Sequence, residues 1–246
     1  MTLPHEKPPL LKVVGASRRF GGLLAVSDVS FDVYAGEIVG LIGPNGAGKT
    51  TLFNVISGYN TATSGSVYFE GEDVTRLPPE QLARRGIGRT FQIVRPFAGL
   101  SVLENVLVAA LMRHPRRKDA EAAAWSALTV TGLASQAHKL SSGLTLAGRK
   151  RLEVTKALAL EPRLLLLDEV VAGLNPTEAE KMVEVIRSVR ATGVTILMVE
   201  HILRVIMNVS DRLVVLSSGE LLAQGSPAEV AANPAVIEAY LGEAHS

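Results

Sequence analysis

The residues Gly43-Pro44-Asn45-Gly46-Ala47-Gly48-Lys49-Thr50-Thr51 bring together the groups needed to hold a polyphosphate and its counter-ion. Glycines at this spacing let backbone N–H groups curl around a β-phosphate. Lys49 then reaches the β and γ oxygens as a point charge, and the Thr50 hydroxyl suits Mg²⁺. Further along, Asp168-Glu169 follows the apolar run 164–167. At the end of a buried strand Asp168 suits the holding of Mg²⁺, and Glu169 suits taking a proton from water that attacks a γ-phosphate. Gln92 offers a neutral amide fit for a water or a Mg²⁺ ligand, and His201 stands just beyond the apolar run 194–199. A lone Gln is weak evidence, and on most strands His201 reads as a packed or surface histidine, raised only by its place beyond Val199.

Such chemistry needs particular elements around it. Residues 37–42 form a short apolar run of strand length, and 51–57 have helical spacing that stops at Gly58, so the glycines fall on a strand-to-helix turn. The start of that helix adds a positive dipole end facing the same anion. Residues 10–20 and 25–33 read as paired strands, an antiparallel layer beside the loop, and 64–71 as another short strand. Pro78-Pro79-Glu80 opens a helix through Arg84, with prolines where a missing N–H costs least.

Arg89-Thr90-Phe91-Gln92 marks the edge of a second region, in which 101–160 is helical. Ser101 and Glu104 predict a capping box. A second helix is expected from Asp119 to Gly132 and a third over 149–160. The basic run 113–118 reads as a solvated loop, with a contact to acidic lipid or a partner as the alternative. The runs 164–167 and 194–199 have the unbroken apolar character of strands covered on both faces, which places Asp168, Glu169 and His201 where parallel sheets bind ligands. Asn175 caps a helix with Pro176 in its first turn, Met182, Val185, Ile186 and Val189 on one face, and Gly193 as its stop. A hairpin over 212–224 and a short helical tail complete the chain.

A length of 246 residues with 47% hydrophobic content is enough for a packed core. Lys and Arg number 25 against 24 acids, so no electrostatic footprint for nucleic acid or anionic lipid exists. The absence of cysteine excludes disulfides and thiolate metal ligands. Residues 1–9 read as a loose, proline-containing lead-in without an apolar signal core, and no apolar stretch approaches the roughly 20 residues of a membrane helix. The chain is therefore expected to stay in the cytoplasm. No Asn-Lys-x-Asp segment is present to read guanine, which disfavours a GTPase.

Across nearly its whole length the chain resembles the ATP-binding subunit of ABC transporters. Residues 43–50 match that family's Walker A, 164–169 its Walker B with the catalytic glutamate, Gln92 its Q-loop, His201 its switch histidine and Phe20 its adenine-stacking aromatic. Within the family the likeness is to ATP-binding subunits of branched-chain amino acid importers. It is carried by Phe20-Gly21-Gly22, Arg89-Thr90-Phe91-Gln92, Ala172-Gly173-Leu174-Asn175-Pro176, and Asn233-Pro234 followed by Ala239-Tyr240-Leu241-Gly242.

The resemblance implies an α/β fold: a P-loop NTPase (RecA-like) core with an antiparallel β layer and an inserted helical subdomain. It implies one ABC ATP-binding domain over 1–246, with the core and β layer at 10–94 and 161–225, the helical subdomain at 95–160, and a helical tail at 226–246. ATP would contact Phe20, Gly43, Asn45, Gly46, Ala47, Gly48, Lys49, Thr50 and Thr51, and Mg²⁺ would be held by Thr50, Gln92 and Asp168. Glu169, His201 and Gln92 would serve hydrolysis. The implied partners are a second ABC ATPase subunit, two transmembrane permease subunits and, indirectly, an extracytoplasmic solute-binding protein, with no nucleic acid. The implied place is the cytoplasmic face of the cell membrane, powering import of branched-chain or related small amino acids. Alternatives are another cargo, such as urea, short amides or an exported lipid, and a soluble ABC ATPase without transport.

One segment departs from the family pattern Leu-Ser-Gly-Gly-Gln. Leu140-Ser141-Ser142-Gly143-Leu144 carries the Leu, the Ser and one Gly of that pattern. Counted back from Asp168 as the family spaces the two, the matching segment is instead Leu144-Thr145-Leu146-Ala147-Gly148-Arg149. Thr145 keeps a hydroxyl, Ala147 replaces a glycine and Gly148 replaces the Gln. In the family this segment lies against the partner subunit's γ-phosphate, so Thr145, Leu146, Ala147 and Gly148 are expected to face a second ATP. A Cβ at Ala147 would crowd that approach. Val170 stands where the family commonly has Pro.

Overall fold

The computed structural model describes residues 8–90 and 94–241. Apolar residues near the start of the chain build the expected antiparallel layer: β1 (Leu11–Phe20) pairs with β2 (Leu23–Val33), placing Leu11 opposite Val33 and Phe20 opposite Leu23. β3 (Ile38–Ile42) is buried along its whole length and leads through the glycine loop into α1 (Lys49–Ile56). β4 (Ser64–Phe69) and β5 (Glu72–Asp73) complete a four-stranded sheet in the order β2-β1-β4-β5.

The chain then passes through α2 (Pro79–Arg85), with Pro79 at its first position, and β6 (Ile87–Arg89). Three helices follow: α3 (Val102–Arg113), α4 (Arg117–Val130) and α5 (Leu146–Leu158). The predicted box at the start of α3 is present in both directions, Ser101 Oγ accepting from Glu104 N at 3.2 Å and Glu104 Oε2 accepting from Ser101 N at 2.7 Å. β7 (Leu164–Asp168), α6 (Pro176–Ala191), β8 (Thr195–Val199), α7 (Leu203–Val209), β9 (Arg212–Ser217), β10 (Glu220–Gly225), α8 (Pro227–Ala231) and α9 (Pro234–Leu241) complete the described chain.

The second sheet has the order β10-β9-β3-β8-β7-β6, parallel except at the β10 edge. Its strands separate two apolar clusters, which explains the unbroken leucines of β7. Leu164 and Leu166 face α1 and the first sheet, while Leu165 and Leu167 face the layer holding α3 to α6. Each fully buried leucine contributes roughly 1.5–3 kcal/mol relative to an exposed one, so this strand is anchored from both sides.

Several boundaries differ from expectation. The second helix starts at Arg117, not Asp119, so 113–118 is not one solvated loop. Arg113 ends α3 and donates to Arg84 O at 2.9 Å, while Arg117 and Lys118 form the first turn of α4, where Arg117 Nε pairs with Glu121 at 2.8 Å. The third helix starts at Leu146 because Thr145 caps it. Nothing in the sequence announces β6 or α7. β6 has three residues, and α7 has seven with no side-chain cap, so neither carries a periodic signal long enough to read.

Candidate phosphate-binding and catalytic site

The glycine loop is wedged between neighbours from distant parts of the chain. A Cβ added to Gly43, whose φ is 149°, would sit 2.1 Å from the Leu216 carbonyl oxygen, and one on Gly48, φ 93°, would sit 2.4 Å from that of Ala25. Only glycine lets β2 and the β9–β10 turn approach this closely. Backbone bonds join the same parts, Gly219 N donating to Ala47 O at 3.2 Å and Ser27 N to Gly219 O at 2.8 Å. Gly46 is different: at φ 75° an added Cβ would meet nothing within 4 Å. This is the open side of the cradle. Lys49, at the start of α1, folds its Nζ back onto the carbonyls of Gly43 and Pro44, each at 2.7 Å. The donors in this stretch, backbone N–H groups, a helix start and an ammonium, are those an anionic phosphate chain requires.

Thr50 and Asp168 line one cavity of about 660 Å³, together with Asn54 and Arg89. Asp168 is 6% exposed and takes a guanidinium, Arg89 Nη2 lying 2.8 Å from its Oδ2. Arg89 also donates to Asn54 Oδ1 at 2.7 Å and to the Ser57 hydroxyl, and its guanidinium lies 5.1 Å from the ring centres of both Phe53 and Tyr59. The cation beside Asp168 shows that the pocket carries the charge a metal would answer, and an oxygen-only pair of hydroxyl and carboxylate fits Mg²⁺. Arg89 belongs to this site, although in the sequence it marks only the edge of the helical region. Its spacing gave no sign that β6 lies beside β7, which is what brings Arg89 to Asp168.

Glu169 and His201 meet because β7 and β8 are parallel with Asp168 opposite Val199. Glu169 Oε1 lies 3.2 Å from His201 Nδ1, with the carboxylate largely covered and the imidazole half exposed. Glu169 itself has a left-handed backbone, φ 50°. Next to His201, Glu200 is 1% exposed, and its Oε1 accepts from Val171 N at 2.9 Å. Burial pushes its carboxyl up to about 7, against the opposing effects of the Val171 N–H and the Lys150 ammonium. Burial lowers the Lys150 ammonium in turn, and Glu200, Glu169 and Asp168 oppose that shift.

The remaining candidates lie further out. Phe20 is exposed at the end of β1, with the Arg18 guanidinium 4.6 Å from its ring centre. Thr145 caps α5, accepting from Gly148 N at 3.2 Å, and Thr145 and Leu146 are exposed while Ala147 and Gly148 are half buried. Leu140 to Gly143, the rival segment, opens into a short 3₁₀ turn instead of heading a helix. Asn45, Ala47 and Thr51 lie within the loop and its helix as the motif requires. Gln92 falls outside the described residues. Among the described residues no group of three or more His, Cys, Asp or Glu side chains could hold a metal ion.

Comparison with known proteins gives a consistent set of relatives. A family model described as ABC transporter matches residues 26–172, and one described as branched-chain amino acid ATP-binding cassette transporter matches 220–246. The chain is 43% identical to the high-affinity branched-chain amino acid transport ATP-binding protein LivG of Escherichia coli K12, over 96% of this chain and 99% of that protein. It is 40% identical to the corresponding protein BraF of Pseudomonas aeruginosa, over the same shares. In structure it is similar to the ADP conformation of an ATP-binding cassette of an ABC transporter, with a TM-score of 0.87 and 31% identity over 96% of this chain and 100% of that one. No helix among the described residues is long and apolar enough to cross a membrane.

Proposed function

Since the chain belongs to the ABC transporter family as one of its ATP-binding cassettes, we propose that it hydrolyses ATP to power import of branched-chain amino acids through membrane permease subunits. The observation that carries hydrolysis is the meeting of Glu169 and His201, 3.2 Å apart, past the ends of the neighbouring parallel strands β7 and β8, of which β8 adjoins the strand that feeds the phosphate loop. What supports the cargo is the family match at 220–246 and the relatives that act in branched-chain amino acid transport.

In this reading the loop from Gly43 to Thr51 binds the phosphates. Lys49 exchanges the Gly43 and Pro44 carbonyls for phosphate oxygens, and Phe20 offers its ring to the base. Thr50, Asp168 and Gln92 would hold Mg²⁺, which when bound neutralises charge on the β and γ oxygens. Asp168 must then exchange its Arg89 partner. Glu169 accepts the proton of the attacking water, and His201 orients the Glu169 carboxylate. Thr145, Leu146, Ala147 and Gly148 face the ATP of a second ATPase subunit, and closure of that pair drives the permeases. The chain thereby works at the cytoplasmic face of the membrane, and a solute-binding protein outside supplies cargo.

The test has two arms. Glu169→Gln should lower turnover by about 10²- to 10⁴-fold while ATP binding persists; full activity in this variant refutes the assignment. Gentle solubilisation of the host's membranes with this chain tagged should bring down two multispanning permeases and a second ATPase. Recovery with a different permease set moves the cargo, and recovery without any membrane protein refutes transport.

A further inference from the structure

Glu169 must place a carboxylate from a left-handed backbone, a conformation that a residue with a side chain holds only when its surroundings impose it. Three bonds do so. Glu169 N donates to Val199 O at 3.0 Å, Lys150 Nζ donates to Glu169 O at 2.6 Å, and Val171 N donates to Glu200 Oε1 at 2.9 Å. Two of the three come from charged side chains that the mechanism above does not use. Both are buried, Lys150 at 6% and Glu200 at 1% exposure, and Glu200 Oε2 has no hydrogen-bond partner. Covering such groups costs stability unless they do something in return.

Their positions suggest what that is. Lys150 lies on α5, just over one turn from the Thr145 cap. At the head of the same helix, Leu146 packs beside the turn after Asp168, its Cδ2 being 3.4 Å from where a Cβ on Gly173 would lie. Glu200 follows the last residue of β8, next to His201. We propose that Lys150 and Glu200 are positioning residues that clamp the backbone of the Glu169 turn, tying the segment at the head of α5 to this chain's own catalytic carboxylate. The proposal rests on the hydrolytic reading above. Through Lys150, any shift of α5 pulls on the carbonyl of Glu169. Engagement of the segment 145–148 is thereby coupled to hydrolysis within one subunit.

The experiment measures ATP turnover on the complex isolated with its membrane partners. Lys150→Met should lower kcat by about ten- to a hundredfold, the scale of a misplacement of about 1 Å, with the KM for ATP unchanged within about twofold. Lys150→Arg should restore most of the loss. In a Glu169→Gln background, Lys150→Met should change the residual turnover by less than about twofold, since the clamp has no base left to position. Glu200→Gln, whose amide oxygen still accepts the Val171 N–H, should keep kcat, and Glu200→Leu should lose it. The clamp is overturned if Lys150→Met turns over like the parent, if it loses the same factor in both backgrounds, or if Glu200→Gln and Glu200→Leu behave alike. Should Lys150→Met fail to fold, Lys150→Arg and the two Glu200 variants decide the matter. A parent complex that hydrolyses no ATP strikes the proposed function itself, whereas hydrolysis indifferent to these substitutions strikes only the clamp.

Discussion

Between residues 43 and 51 the chain presents its functional groups with its own backbone, held by steric fit, whereas around 168–171 side chains from α5, β6 and the end of β8 hold a turn by charge and hydrogen bonds. In the loop, Gly43 and Gly48 leave no room for one more carbon. At the turn, Arg89, Lys150 and Glu200 supply the polar atoms that bond to Asp168, Glu169 and Val171. The first region should therefore fail when atoms are added, and the second when polar atoms are taken away. A contiguous backbone loop suits a ligand that is always the same, a phosphate chain. A turn held by separate elements suits a group whose placement must respond to movement elsewhere.

The largest effect that sharpens this contrast comes from Arg89→Met. It leaves the Asp168 carboxylate buried without its cation, at an expected cost of about 3–5 kcal/mol in the nucleotide-free protein, read as a lower thermal midpoint. Adding Asp168→Asn should recover most of that loss; a single variant as stable as the parent would mean the pair holds nothing. In the loop, Gly43→Ala should cost about 1–3 kcal/mol from overpacking against Leu216 and should abolish ATP binding. Gly46→Ala, with open space around it, should cost only about 1–2 kcal/mol of left-handed strain. Equal losses for the two in a denaturation series would contradict the wedge.

Lys49→Ala should weaken ATP binding by about tenfold or more, the worth of a charge-assisted hydrogen bond, in a fluorescent-nucleotide titration. It should leave the melting temperature nearly unchanged. The smallest effect concerns pH. The Glu200 carboxyl, pushed by burial from 4.5 up to about 7, favours the folded chain fully below its unfolded value, and that contribution is lost as pH rises through about 7. Glu200→Gln removes the dependence. Stability of the parent relative to this variant should fall by on the order of 1 kcal/mol between about pH 6 and pH 7, and parallel stability curves would show that Glu200 does not titrate there.

Much of the frame is legible in the sequence alone. Ser101 and Glu104 announced α3, Asn175 and Pro176 announced α6, and the leucines before Asp168 announced a strand covered on both faces. Each of these signals lies within a few residues of what it specifies. Thr145, at the head of the segment that spacing to Asp168 selects, caps the helix that begins at Leu146. Arg89 stands inside the motif Arg89-Thr90-Phe91-Gln92, yet its partner Asp168 lies 79 residues away. Lys150, inside the helix expected over 149–160, and Glu200, just past the apolar run 194–199, carry no local signal of the turn they meet, for the same reason.

What the sequence determined by itself is the local chemistry: a glycine-rich turn between a strand and a helix, two carboxylates at the end of an apolar strand, and capped helices around them. Those follow from short-range rules, because a phosphate cradle, a cap or a two-faced strand is built from consecutive residues. What only the tertiary structure decided is the company these groups keep. The order β10-β9-β3-β8-β7-β6 seats Arg89 on Asp168, brings His201 to Glu169 and turns Lys150 and Glu200 onto one short turn. Strand order and register are set by how two apolar faces are covered at once, a property of the whole chain that no window of residues contains.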